Sequence, residues 1–229
     1  MKKITVFLSD DHAVVREGLR LLLGASQDIE VIGEAADGFR AVGEAKRLQP
    51  DVVLMDIAMS VLNGVEAARR IVREVPTAKV LILSCHSDDQ HVEQAVQAGA
   101  AGYLMKETAS KELLKAIREA CKGNTFFSPP IARRLSKKWQ YRNGQSKSRR
   151  ASPLTGRQTQ ILQLIAEGYS TKQIAGVLSV STKTVEKHRQ AVMDKLGIHN
   201  IASLTRYAIS TGVVDLNGPP VWPAARVDA

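Results

Sequence analysis

Five polar side chains follow four well-separated apolar runs and could act on one group: Asp10 and Asp11 after Ile4–Leu8, Asp56 after Val52–Met55, Ser84 after Val80–Leu83, and Lys106 after Gly102-Tyr103-Leu104-Met105. Three carboxylates brought together repel one another unless a cation sits among them. A hard divalent ion with oxygen ligands, Mg2+, suits such a set. An ammonium and a hydroxyl beside that ion are placed to hold the oxygens of a phosphoryl group. The chemistry expected is uptake of phosphate on one of these carboxylates, beside the ion.

These residues meet only if the runs are strands of one sheet. Short apolar runs separated by helix-length stretches read as buried parallel strands of an alternating β/α chain. In such a sheet, ligands sit outside the carboxyl ends of the strands. Strands are expected near 4–9, 29–35, 51–56, 79–84 and 101–105, with helices near 13–25, 38–48, 64–74, 89–98 and 109–122. The fold class is α/β, a (βα)5 sheet in the flavodoxin-like order with strand one central. Gly123-Asn124 stops the last helix.

The second half of the chain differs in charge and in period. Residues 1–124 hold 16 Lys+Arg and 18 Asp+Glu, a net −2, whereas residues 125–229 hold 16 and 5, a net +11. So sharp a split points to a polyanion-binding module at the C-terminal end. Residues 131–141 are spaced for a basic helix, and 142–152 read as a flexible linker. From Leu154 the pattern is helical again, with breaks at Gly168 and at Ser179-Val180. Ser170 is positioned to cap a second short helix, Ser181 or Thr182 a third that runs through Leu196, and a fourth covers 201–211. Residues 217–229 read as a disordered tail. Two cysteines, Cys85 and Cys121, imply no disulfide framework. No run approaches the ~18–20 apolar residues of a membrane span, so a cytoplasmic protein with no membrane partner is expected.

The segments Ser9-Asp10-Asp11-His12, Leu54-Met55-Asp56-Ile57-Ala58-Met59, Asn63-Gly64, Leu83-Ser84 and Gly102-Tyr103-Leu104-Met105-Lys106 together resemble the receiver domain of two-component response regulators. The resemblance implies that a sensor histidine kinase phosphorylates Asp56. It adds the backbone carbonyl of Ala58 to Asp10, Asp11 and Asp56 around Mg2+. It makes Lys106 and Ser84 the phosphoryl contacts, and Ser84 with Tyr103 a switch pair. Ser60 stands where the family commonly has Pro, and Cys85-His86 is read as controlling access to Asp56 rather than as a metal pair.

The stretch from Leu154-Thr155-x-Arg157 to Lys195-Leu196, with Gly168-x-Ser170-x-Lys172-x-Ile174-Ala175 and Ser181-x-x-Thr184-Val185-x-x-His188 inside it, resembles the LuxR-type helix-turn-helix of the NarL/FixJ family. A helix starting at Ser181 turns Val185, Val192 and Leu196 to a core, and Lys183, Glu186, Lys187 and Gln190 to the opposite face. Such a face suits the major groove of double-stranded DNA. By the resemblance Glu186, Lys187 and Gln190 read base edges, while Lys172, Thr184, Arg189 and Lys195 contact phosphates. A dimer is expected through Ser203, Leu204 and Tyr207 of the last helix, with RNA polymerase as a further partner. Gln158 and Gln160 replace the family's usual acids and are expected to lower the negative charge beside DNA; Ala191 replaces a common Asn.

The domains expected are a receiver at 1–124, a linker at 125–152, an all-α four-helix module at 153–213 and a tail at 214–229. The protein is read as a phosphorylation-controlled transcription factor, and not as an enzyme beyond phosphoryl transfer to its own Asp56. Two alternatives stand beside this reading. In one the receiver is a phosphate-independent dimerisation or docking domain. In the other the acidic cluster is a phosphohydrolase site, for which the sequence offers no spare general acid.

Overall fold

The computed structural model describes residues 2–85, 87–107, 109–133, 135 and 154–214. They form two compact units, one built on a sheet and one all helical.

In the first unit strands alternate with helices: β1 (Ile4–Ser9), α1 (Ala13–Gly24), β2 (Ile29–Ala35), α2 (Gly38–Leu48), β3 (Val52–Asp56), α3 (Gly64–Glu74), β4 (Lys79–Ser84), α4 (Asp89–Gln97), β5 (Gly102–Met105), α5 (Ala109–Cys121) and β6 (Phe126–Phe127). All pairings are parallel, in the order β2-β1-β3-β4-β5-β6. β3 and β4 are buried along almost their whole length, which is why their sequences are continuous apolar runs rather than alternating ones. One side of the sheet packs Val6, Leu8, Leu54, Leu81, Leu83 and Leu104 against Leu19 and Leu23 of α1 and Leu113 and Ile117 of α5. Helix starts are set locally. Asp37 accepts from Arg40 N–H at 2.8 Å ahead of α2, and Asp88 accepts from the amides of Gln90 and His91 ahead of α4.

The first five strands stand in the expected flavodoxin-like order, with β1 interior between β2 and β3. One feature departs from the sequence-based expectation: the sheet continues past the fifth strand, where Phe126 and Phe127, assigned above to the linker, pair with Gly102 and Tyr103. A two-residue strand carries too little periodicity to be read from sequence. The expected helix at 131–141 falls mostly outside the described residues, although residues 129–133 are helical. The linker beyond 135 and the tail from 215 also lie outside them.

The second unit holds α6 (Gly156–Ala166), α7 (Thr171–Val177), α8 (Thr182–Leu196) and α9 (Ile201–Ser210). Each begins at a side-chain cap. Thr155 with Gln158 and Ser170 with Gln173 form reciprocal capping boxes, Ser181 accepts from Thr184 N–H, and Asn200 accepts from Ser203 N–H. Ser181, not Thr182, is therefore the cap of the third helix. Gly197 ends α8 at φ 65°, in the left-handed region that favours glycine. Ile161, Leu162, Leu164, Ile174, Val185, Val192, Leu204 and Ala208 make the core.

Leu204 is fully buried there, so its side chain is not available to a dimer face. This corrects the expectation for that residue; Ser203 and Tyr207 beside it are half-buried. Leu204→Ala is expected to destabilise the helical unit by about 3 kcal/mol, through lost burial and the cavity left behind. Unfolding monitored by circular dichroism would check this. A pure dimer-contact role predicts an unchanged unfolding curve and a changed sedimentation coefficient instead.

Candidate functional site

Strand register explains how residues distant in sequence meet. Ser9 pairs with Met55, Asp56 with Leu83, and Ser84 with Met105. Asp10, Asp56, Ser84 and Lys106 therefore lie along one row at the carboxyl rim. Lys106 N–H donates to Ser84 O at 2.9 Å and Asp10 N–H to Ala35 O at 3.2 Å, which fixes the residues just past the strands.

Asp10, Asp11 and Asp56 each place a carboxylate oxygen, and His12 a ring nitrogen, within 4.8 Å of one another. Asp10 and Asp56 are only 1% and 2% exposed. Lys106 Nζ lies 2.7 Å from Asp10 Oδ2 and 3.1 Å from Asp56 Oδ2. Burial, reinforced by the Asp10 charge and partly offset by Lys106, pushes the Asp56 carboxyl up to about 6. Burial also raises Asp11, against the opposing pull of His12. Burial alone would lower Lys106, but Asp56 and Asp10 more than reverse it, so the ammonium stays charged.

The donor set fits a metal ion. Asp11 Oδ1 is buried and accepts no hydrogen bond, and the buried Asp10 Oδ2 and Asp56 Oδ2 have only the one Lys106 ammonium between them. Three carboxylates share one ammonium and one imidazole, an arrangement costly to bury unless a further cation joins it. A hard divalent ion with oxygen ligands meets both needs.

Ser84 is buried and hydrogen-bonded to Tyr103, itself fully buried, and burial holds the Tyr103 phenol well above its usual range. Ala58 lies in the turn after Asp56, where the amides of Met59 and Gly64 both donate to Ile57 O, at 3.0 and 2.9 Å. Cys85 is exposed, Cys85 and Cys121 are both free thiols, and His86 lies outside the described residues.

Two residues near the rim were not assigned roles by the sequence reading. Arg16 Nη1 donates to the backbone carbonyl of Asp10 at 2.7 Å, and His12 Nδ1 lies 3.2 Å from Asp10 Oδ1 and 2.7 Å from Asp11 Oδ1. Their signal is the helical spacing from the acidic pair: His12 follows it directly and Arg16 lies four residues further on, on the same face of α1.

In the helical unit, Val185 and Val192 of α8 are fully buried and Leu196 is half-buried, while Lys183, Glu186, Lys187 and Gln190 are exposed. Lys172 and Lys195 are exposed too, and Thr184 and Arg189 are half-buried. Three of these polar groups already have protein partners. Gln190 Nε2 donates to Asp194 Oδ1 at 2.8 Å, Lys195 Nζ donates to Gln158 Oε1 at 2.9 Å, and the Thr184 and Ser181 hydroxyls are 2.9 Å apart. The expectation that Gln158 and Gln160 tune charge beside DNA is corrected by their burial, at 7% and 0% exposure. Gln158 closes the cap of α6 and anchors Lys195, and Gln160 accepts from Arg157 at 3.3 Å.

Comparison with known proteins matches both units. The profile described as response regulator receiver domain covers residues 6–118, and that described as bacterial regulatory proteins, luxR family, covers 152–208. The chain is 36% identical over 214 residues to the oxygen regulatory protein NreC of Staphylococcus carnosus, spanning 92% of this chain and 99% of that one. It is 33% identical over 227 residues to the transcriptional regulatory protein DegU of Brevibacillus brevis, spanning 93% and 95%. Among solved structures, the response regulator RcsB in complex with DNA superposes with a TM-score of 0.57 at 26% identity, over 92% of this chain and 99% of that one. The receiver domain of the NarL response regulator from Mycobacterium tuberculosis gives 0.52 at 38%, over 54% and 100%. Sheet, acidic rim, capped helix-turn-helix and near full-length likeness agree: the chain belongs to the NarL/FixJ family of two-component response regulators, with a receiver domain and a LuxR-type DNA-binding domain that serve transcription regulation.

Proposed function

We propose that Asp56 accepts a phosphoryl group from a sensor histidine kinase in a Mg2+-dependent transfer, and that the phosphorylated form binds paired DNA half-sites as a homodimer. The observation that carries this reading is the rim itself: a buried carboxylate, two further acids and an ammonium within bonding distance. An Asp56 oxygen attacks phosphorus, the P–N bond to the donor histidine breaks, and an acyl phosphate remains. Lys106 moves its charge from Asp56 to the new phosphoryl oxygens. The Ser84 hydroxyl turns toward those oxygens and leaves Tyr103. Mg2+, held by Asp10, Asp11, Asp56 and the Ala58 carbonyl, would neutralise charge on the transferring group.

DNA recognition follows from α8. Its exposed Lys183, Glu186, Lys187 and Gln190 share one face, and RcsB, with the same architecture, is known bound to DNA. Glu186 accepts from a cytosine amino group and Lys187 donates to guanine, with Gln190 beside them. Lys172, Thr184, Arg189 and Lys195 meet phosphates and fix the register. Two modules held together engage two half-sites, which raises affinity without new contacts. Ser203 and Tyr207 supply that pairing, and RNA polymerase is the partner of the bound dimer.

Selection from a random duplex pool tests the reading. Native protein treated with beryllofluoride and Mg2+ is expected to enrich two similar half-sites at fixed spacing. Lys187→Ala with Gln190→Ala should relax the preference at the bases they read, each bidentate contact being worth ~1–3 kcal/mol. Lys172→Ala should weaken all sequences alike and lower the salt dependence by about one unit. No enriched motif, or the same motif from the double variant, refutes the assignment of α8.

A further inference from the structure

His12 belongs to the acidic rim, yet none of the roles above uses its side chain. It stands at the start of α1 but makes no side-chain cap hydrogen bond, so the helix does not hold the imidazole in place. Nδ1 instead faces the acids, 2.7 Å from Asp11 Oδ1 and 3.2 Å from Asp10 Oδ1. Adjacent ligands of an octahedral ion with bonds of ~2.1 Å are about 3.0 Å apart, and the two separations fall on either side of that value.

The carboxylate atoms point the same way. Asp11 Oδ1 is buried and accepts no hydrogen bond although the imidazole nitrogen is close to it, and Asp10 Oδ2 and Asp56 Oδ2, on residues 1% and 2% exposed, have between them only the single Lys106 ammonium. Oxygens with unfilled lone pairs and a nitrogen gathered within 4.8 Å are better satisfied by a cation among them than by each other. The His12 side chain is 45% exposed, so its other nitrogen can remain in water.

We propose that His12, through Nδ1, is a nitrogen ligand of the divalent cation held by the acidic rim, and that it tilts the centre from Mg2+ toward transition ions such as Mn2+ and Co2+. This rests on the reading of the rim as a metal site. Mg2+ takes oxygen ligands and keeps much of its water. Imidazole suits first-row transition ions, whose affinity rises from Mn2+ to Co2+ for a given site. A His beside the acids therefore discriminates where an all-oxygen rim would not.

The test titrates full-length native protein, His12→Ala and Asp11→Asn with Mg2+, Mn2+ and Co2+ by calorimetry, recording the visible spectrum of the Co2+ forms. Because His12 makes no cap bond, His12→Ala is expected to fold as the native protein does. Its preference for Co2+ over Mg2+ should fall about tenfold or more, with Mg2+ affinity nearly unchanged and the Co2+ absorption bands shifted. Asp11→Asn should weaken all three ions. If Asp11→Asn does so while His12→Ala keeps the native preference and spectrum, the role of His12 is refuted and the metal reading stands. If Asp11→Asn weakens none of them, both fall together.

Discussion

Asp56→Asn is expected to abolish phosphoryl uptake and, in metal-free buffer at pH 7, to make the protein more stable than the native form. A carboxylate 2% exposed, beside Asp10 and 3.1 Å from a single ammonium, is held in its charged form against its environment. Its carboxyl titrates at about 6 in the fold, against an ordinary value of 3.8. The folded protein thus binds the proton more tightly than the unfolded chain. The penalty is absent below pH 3.8, grows as the pH rises through the folded value, and is fully present above it. At ~1.4 kcal/mol per unit, the neutral amide should gain on the order of 2–3 kcal/mol at pH 7, a gain that fades as the pH is lowered through 6 toward 4. Mg2+ should narrow the gap by stabilising the native form more than the variant. Denaturant unfolding of both proteins at pH 4.5 and 7, with EDTA or Mg2+, measures this. Intact mass after treatment with a small acyl phosphate reads the chemistry: one added phosphoryl group on native protein and none on the variant. Phosphorylation of the variant at another residue, or a variant less stable than native at pH 7, would remove Asp56 from the centre of the site.

The parts of this molecule that could be read in advance are those whose physics is local. β3 and β4 are buried along almost their whole length, so their runs are apolar throughout. Ser170 and Ser181 sit where an oxygen must meet free helix amides. The exposed face of α8 follows from spacing alone. What could not be read depends on partners distant in sequence. Phe126-Phe127 becomes a strand only because β5 offers an open edge. Leu204 turns inward because α9 packs back on the other helices, a choice that an amphipathic pattern with apolar residues on several sides leaves open. Gln158 carries two contacts, with Thr155 N–H and Lys195 Nζ, only the first of which is local. At the rim, the five polar residues were legible as strand-end residues. The contacts of His12 and Arg16 were not, because each depends on where α1 places a side chain relative to β1.

Gly64→Ala is the substitution expected to cost most for the least added volume. Gly64 opens α3, and a helix start ordinarily accepts Ala without loss. Here a Cβ would lie 1.8 Å from the carbonyl oxygen of Asp56, 2.8 Å from its carbonyl carbon and 3.0 Å from Ile57 Cα. All three are backbone atoms, so no side chain can swing aside. The turn is also closed by Gly64 N–H donating to Ile57 O at 2.9 Å. Relief therefore requires opening the turn or displacing the end of β3, and either moves Asp56 relative to Asp10 and Lys106. A loss of about 3 kcal/mol or more is expected, a fall of roughly 10 °C in the unfolding midpoint of the sheet-bearing unit. Mg2+ should stabilise the surviving fold less than it does the native protein. Gly43→Ala is the control. Gly43 lies inside α2 with nothing within 4 Å of an added Cβ, so that substitution should gain ~0.5–1 kcal/mol from the lower chain entropy of Ala. Opposite signs for the two variants in one calorimetric series would establish that Gly64 is required by the close approach of the Asp56 carbonyl. Equal small effects would show that the turn after Asp56 has room to spare, and that the position of the nucleophile does not depend on it.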